Sequence, residues 1–149
     1  MKVKPLCLLH TVIRPTDNVL KILQNRLACG FPSPSNDYFE NSQNIDALLS
    51  KHPLATFLAK AQGESMIERG IMDGSLLIID RALEPTDMST IVASLNGELT
   101  VKIIDLKRKL LRAANQKQKP IPLPDDINGL CEGVVTFCIS PQGNTSFAC

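Results

Sequence analysis

Ile91-Val92-Ala93-Ser94-Leu95-Asn96-Gly97-Glu98-Leu99-Thr100-Val101-Lys102-Ile103-Ile104 decides the fold class. Two apolar, β-rich runs flank an Asn-Gly pair, the dipeptide that supplies two positive-φ residues to a tight hairpin turn. Strands are therefore expected over 91–95 and 99–106. Outward from the hairpin, Leu76-Leu77-Ile78-Ile79 is a short apolar run bounded by Gly74 and Pro85, the pattern of a strand buried on both faces. Residues 55–61, 110–113 and 133–139 supply further strands, with a proline-rich loop over 120–124. Ile45, Leu48 and Leu49 mark a short helix running toward His52-Pro53, where proline stops it. The fold class predicted is mainly β, with short strands and a few helical turns.

Composition agrees with that reading. The chain has 149 residues, 44% hydrophobic and 21% charged, which is globular rather than disordered. Sixteen basic against 15 acidic residues leave a net charge of +1, so no basic excess marks a phosphate-gripping surface. No run approaches the roughly 18 apolar residues of a membrane helix. Five cysteines (7, 29, 131, 138, 149) at irregular spacings, with two histidines, make neither a zinc site nor a paired disulfide framework. Reduced thiols in a cytoplasmic protein, with no metal and no cofactor, are expected.

The first 29 residues imitate an export signal. Met1-Lys2-Val3-Lys4 precedes Pro5-Leu6-Cys7-Leu8-Leu9, and Leu27-Ala28-Cys29-Gly30 resembles a lipoprotein cleavage site. The apolar stretch is about nine residues, carries His10 and ends at Arg14, and Arg26 stands three before Cys29. The segment reads better as an arm. Thr16 or Asp17 caps a short helix carrying Val19, Ile22, Leu23 and Leu27, and Gly30 stops it. One helix is too little for a helix-turn-helix, so no sequence-specific DNA binding is expected. Residues 30–43, beginning Phe31-Pro32-Ser33-Pro34, read as an extended linker, and the domain proper as 44–149.

Chemistry is suggested at two places. Gly63-Glu64-Ser65-Met66 follows a strand directly, so Ser65 sits on a turn where glycine lets backbone amides approach a carbonyl. A serine after Gly-x is also a common turn residue. A second glycine for a hydrolase elbow is missing, and both histidines precede Ser65. An Asp46-His52-Ser65 triad is conceivable, but His52 reads better as a helix terminator. The second place is Lys102. Alternation puts Thr100, Lys102 and Ile104 on one strand face and Leu99, Val101 and Ile103 on the other. Both faces are largely apolar. Burial lowers a lysine pKa, and a neutral amine beside a hydroxyl is a competent base. A lysine snorkelling from an edge strand is the alternative.

Several motifs then occur in a fixed order: Phe31-Pro32-Ser33-Pro34, Asp37-Tyr38, His52-Pro53-x-Ala55-Thr56-Phe57, Gly63-Glu64-Ser65-Met66-Ile67, Gly70-Ile71-x-Asp73-Gly74, Leu76 to Asp80, and Gly97-Glu98-x-Thr100-Val101-Lys102. Together they closely resemble UmuD-type proteins over about residues 28–107. The resemblance implies the self-cleaving β fold shared with LexA-type repressors and related to signal peptidases, carrying a flexible N-terminal arm. It implies Ser65 as nucleophile, Lys102 as general base, and Gly63 and Met66 supporting the oxyanion turn. Ala28-Cys29-Gly30 matches the scissile region, with cleavage between Cys29 and Gly30. The family's partners are implied with it: a homodimer, a RecA filament on single-stranded DNA as activator, and a UmuC-type Y-family polymerase for mutagenic translesion synthesis in the SOS response. Glu64 stands where aspartate is common, and both ends are longer than usual.

Two other readings compete: a non-catalytic polymerase subunit, and an exported protein. The near-neutral whole is a sum of two unlike parts, and a cut at Cys29-Gly30 would discard the basic one. Residues 1–29 carry five basic side chains and one acidic, net +4, whereas residues 30–149 carry a net −3. A basic arm is thereby attracted to an acidic body.

Overall fold

The computed structural model describes residues 1–5, 20–23, 39–127 and 129–147. The chain forms two compact units, one of residues 1–10 and 52–149, the other of residues 11–51.

The larger unit holds eight strands: β1 (Lys2–Pro5), β4 (Thr56–Gln62), β5 (Leu76–Asp80), β6 (Thr90–Leu95), β7 (Glu98–Asp105), β8 (Leu110–Arg112), β9 (Ile121–Pro122) and β10 (Cys131–Ile139). They form one sheet in the order β1-β4-β5-β10-β6-β7-β8-β9, and every pairing is antiparallel. A further pairing of β1 with β7, at Lys2 opposite Thr100, joins the two ends of a six-strand ring. Closure of that kind removes the sheet edges that β4 and β7 would otherwise present.

The hairpin expected at Asn96-Gly97 is present. Both residues have positive φ, 52° and 80°, and Ser94 pairs with Leu99 and Leu95 with Glu98 across the turn. β5 is buried from Leu77 to Asp80, as its unbroken apolar run implies. β6 is buried on both faces, because Val92 joins one core cluster while Ile91 and Ala93 join another. β7 follows the same alternation. Val101 and Ile103 enter the first cluster with Ala59, Ala61, Met66, Leu77 and Ile79; Ile104 enters the second with Leu111 and Leu130.

The smaller unit contains β2 (Leu20–Leu23) antiparallel to β3 (Phe39–Gln43), and helix α1 (Ile45–Leu49). Asn44 caps α1 by accepting the Asp46 N–H at 2.9 Å. The helix ends at Leu49 rather than reaching His52-Pro53, because Ser50 is already extended. Two expectations need correction. The described part of the helix expected after Thr16 or Asp17, residues 20–23, is a strand, and residues 39–43 of the expected linker are its partner. A four-residue stretch such as Leu-Lys-Ile-Leu does not distinguish helix from strand by periodicity, and here pairing with a distant segment decides. The scissile pair Cys29-Gly30 and the Phe31–Asp37 stretch lie outside the described residues. Within the expected arm, residues 2–5 form β1 of the sheet.

Candidate active site

Ser65 is presented by a turn whose backbone is tied down on both sides. β4 ends at Gln62, and Gly63 turns the chain with φ 98°, its N–H donating to Asp73 Oδ1 at 2.7 Å. Met66 then plugs the turn into the core. Its side chain is fully buried, and its sulfur accepts the Ala114 N–H at 3.4 Å. A 3₁₀ turn, Ile67–Arg69, follows and closes at Gly70, whose φ of 77° suits glycine. Two further bonds fasten this loop to residues 114–116: Glu68 N–H to the Ala114 carbonyl at 3.1 Å, and Asn115 Nδ2 to the Glu64 carbonyl at 3.2 Å. The backbone bonds of this turn use the N–H groups of Ile67 through Ile71; among the described residues, those of Ser65 and Met66 donate none. Two adjacent free amides beside a buried hydroxyl are what an oxyanion requires.

Ser65 itself is 3% exposed, and its Oγ accepts a hydrogen bond from the Met1 α-amine at 2.6 Å. Lys102 is 8% exposed in the middle of β7 and donates from Nζ to Gln118 Oε1 at 3.3 Å. Burial pushes its pKa below the ordinary lysine value. The Met1 amine is likewise lowered, first by burial and then by the positive charge of Lys102. The two nitrogens are thus electrostatic neighbours, and one of them already touches Ser65. No hydrogen bond joins Ser65 to Lys102 among the described residues. Thr100, two residues before Lys102 on the same strand face, donates from Oγ1 to the Met1 carbonyl at 2.7 Å. A cavity of 380 Å³ opens beside them, lined by Leu95, Asn96, Glu98, Thr100 and Lys102.

The histidine alternative is corrected by geometry. His52 Nδ1 lies 2.6 Å from Asp80 Oδ2, so its carboxylate partner is Asp80, not Asp46. Among the described residues no hydrogen bond links His52 to Ser65. Likewise, no group of three His, Cys, Asp or Glu residues is placed to hold a metal ion among the described residues. Cys131 and Cys138 are free thiols.

Sequence reasoning did not find Met1, Thr100, Gln118 or Asn115. Thr100 was within reach, since alternation puts it on the Lys102 face. Gln118 sits in a run of polar loop residues with no distinguishing signal, and the Met1 contact depends on a pairing across 64 residues.

Comparison with known proteins adds to this geometry. The profile described as Peptidase S24-like matches residues 21–136. SamA of Salmonella typhimurium is 32% identical over 131 residues, covering 88% of this chain and 92% of SamA. ImpA of Escherichia coli is 38% identical over 89 residues, 60% of this chain and 61% of ImpA. The LexA repressor of Vibrio campbellii is 32% identical over 120 residues, 76% of this chain and 58% of the repressor.

Proposed function

Since the chain belongs to the Peptidase S24-like family, we propose that it is a self-cleaving serine peptidase of the SOS response, cutting itself between Cys29 and Gly30 with Ser65 and Lys102. The observation that supports this reading is a buried serine hydroxyl and a buried lysine whose ammonium form is disfavoured, linked through the Met1 amine, which donates to Ser65 and feels the charge of Lys102. Such a lysine gives up its proton more readily than an exposed one, which suits a general base.

In the proposed reaction neutral Lys102 Nζ takes the proton from Ser65 Oγ as Oγ bonds to the Cys29 carbonyl carbon. The amides of Ser65 and Met66 donate to the resulting oxyanion. When the Cys29–Gly30 bond breaks, the Lys102 ammonium returns the proton to the Gly30 nitrogen. Water then hydrolyses the ester on Ser65, releasing residues 1–29 with a new carboxylate. The remaining product, residues 30–149, is acidic. On this reading it acts as a homodimer with a UmuC-type Y-family polymerase, in the cytoplasm, after a RecA filament on single-stranded DNA has stimulated the cut. No helix among the described residues is long and apolar enough to cross a membrane.

The test is incubation with RecA, single-stranded DNA and a nucleotide triphosphate. Wild type yields two fragments of the masses set by Cys29-Gly30, while Ser65→Ala and Lys102→Met stay whole. Identical single bands from all three would leave only the polymerase-binding role. Filament-free cleavage should rise with pH and level off at a lysine pKa below the ordinary value of about 10.4. A rate independent of pH from 6 to 10 contradicts a lysine base.

A further inference from the structure

We propose that the first strand occupies the peptide slot of this enzyme, so that self-cleavage requires residues 1–5 to be exchanged for the scissile segment. The inference rests on the proposed roles of Ser65 and Lys102.

β1 fills a gap between two strands that are otherwise not neighbours. Along one side it pairs with β4 from Lys2 opposite Gln62 to Pro5 opposite Ala59; along the other it meets β7 at Lys2 opposite Thr100. At the tip, the Met1 carbonyl accepts both the Val101 N–H at 3.2 Å and the Thr100 hydroxyl at 2.7 Å. Met1 packs against the first core cluster, and its Cα lies 3.8 Å from where a Cβ on Gly63 would be. Its amine is on the nucleophile. The main-chain groups of β4 opposite residues 2–5, and those of Thr100 and Val101 at the tip, are therefore already engaged by the chain's own first residues on the approach to Ser65. A strand inserted between two strands gains affinity from main-chain bonds and needs little sequence identity. The scissile segment can make the same bonds only where β1 is absent. Nothing covalent holds β1 in the gap. One exposed ion pair helps to hold it, Lys2 Nζ to Glu98 Oε1 at 3.2 Å, with side chains 69% and 66% exposed.

That pair gives a perturbation outside the catalytic machinery and the core. Reversing the charge in Lys2→Glu sets two carboxylates opposite one another and should release β1 more often. For an exposed pair the expected gain in filament-free cleavage is about three- to fivefold. The double variant Lys2→Glu with Glu98→Lys should return to the wild-type rate. A second measurement is independent of cleavage. In the Ser65→Ala protein, the Val101 amide should be protected from hydrogen exchange by Met1, and adding Lys2→Glu should speed its exchange by a similar factor. A peptide spanning residues 25–34 should bind that variant about three- to fivefold more tightly than Ser65→Ala alone. Unchanged cleavage in Lys2→Glu while Ser65→Ala abolishes cleavage overturns the exchange but keeps the proposed chemistry. No cleavage in any protein overturns the chemistry, and Val101 exchange and peptide binding still decide the slot. A Val101 amide exchanging as fast as exposed loop amides overturns the proposal outright.

Discussion

Met66 links the stability of the domain to the placement of the Ser65 turn, and its replacement by alanine should show both. The side chain is fully buried in the first core cluster, beside Ala59, Ala61, Ile71 and Leu77. Its main-chain carbonyl also accepts the N–H groups of Arg69 at 3.0 Å and Ile71 at 3.3 Å, so the whole 64–71 turn is organised around this residue. Truncating a buried methionine to alanine costs about 2–5 kcal/mol, depending on how far the surroundings collapse. Losing the sulfur leaves the Ala114 N–H, in a residue only 7% exposed, without its acceptor. A buried donor left unsatisfied adds about 1–3 kcal/mol, with the low end fitting a thioether acceptor. The sum for Met66→Ala is about 3–6 kcal/mol.

Met66→Leu separates the two contributions. It keeps the volume, which alone costs less than about 1.5 kcal/mol, and removes only the sulfur. Both variants are best made on the Ser65→Ala chain, so that self-cleavage cannot alter the unfolding baseline. Urea titration should place Met66→Ala below its parent by at least twice the Leu loss. In a melting experiment each kcal/mol corresponds to roughly 2–4 °C for a chain near this size. A loss under 1 kcal/mol for the alanine variant would show that the turn does not depend on this plug. Equal losses for alanine and leucine would show that the sulfur bond, not the volume, holds the turn.

Three further outcomes are expected. Gln118→Leu removes the carbonyl acceptor of Lys102 Nζ, which stabilises the ammonium more than the amine, so the rising limb of the cleavage–pH profile should move to lower pH, and Gln118→Glu should move it up. Asp80 is buried, which raises its pKa, but hydrogen bonds from His52 and from the Ala82 N–H at 2.8 Å outweigh this and hold it below the ordinary value. Its contribution to stability is therefore complete above about pH 4 and is lost as pH falls through the folded-state value; Asp80→Asn should be less stable at pH 7 and converge with wild type in acid, by urea midpoints. Gly97→Ala should cost about 1–2 kcal/mol in the same titration, because φ is 80° and no atom lies within 4 Å to obstruct a methyl group, leaving backbone strain as the whole effect.

The central strands were legible because their signals are local. Asn96-Gly97 imposes its turn on any two strands beside it, and the unbroken run of β5 has nowhere to go but a two-sided core. Lys102 was legible as a buried lysine because its strand neighbours are apolar on both faces. The elements that were missed owe their form to partners far along the chain. β1 is four residues, Lys-Val-Lys-Pro, whose alternation is present but too short to outweigh its likeness to the start of an export signal. Its partners are β4 and Thr100 of β7. β9 is two residues inside the proline-rich loop, made a strand only by Leu110 and Leu111. Gln118 faces Lys102 because the loop over 114–116 is fastened to the Ser65 turn through Glu64 and Glu68, a relation no window of sequence contains.

The closed ring also constrains how the proposed enzyme is activated. Emptying the gap would leave unpaired main-chain groups along β4 opposite residues 2–5 and at Thr100 and Val101 of β7, and such edges are costly to leave bare. A peptide arriving as β1 departs replaces those bonds nearly one for one. The exchange can then sit close to balance, where 1.4 kcal/mol alters the ratio of the two states tenfold. Under that condition an activator has no need to rebuild the catalytic residues. On the proposed exchange, favouring one occupant of the slot over the other by a few kcal/mol would be enough, and cleavage without an activator would be limited by competition for the slot.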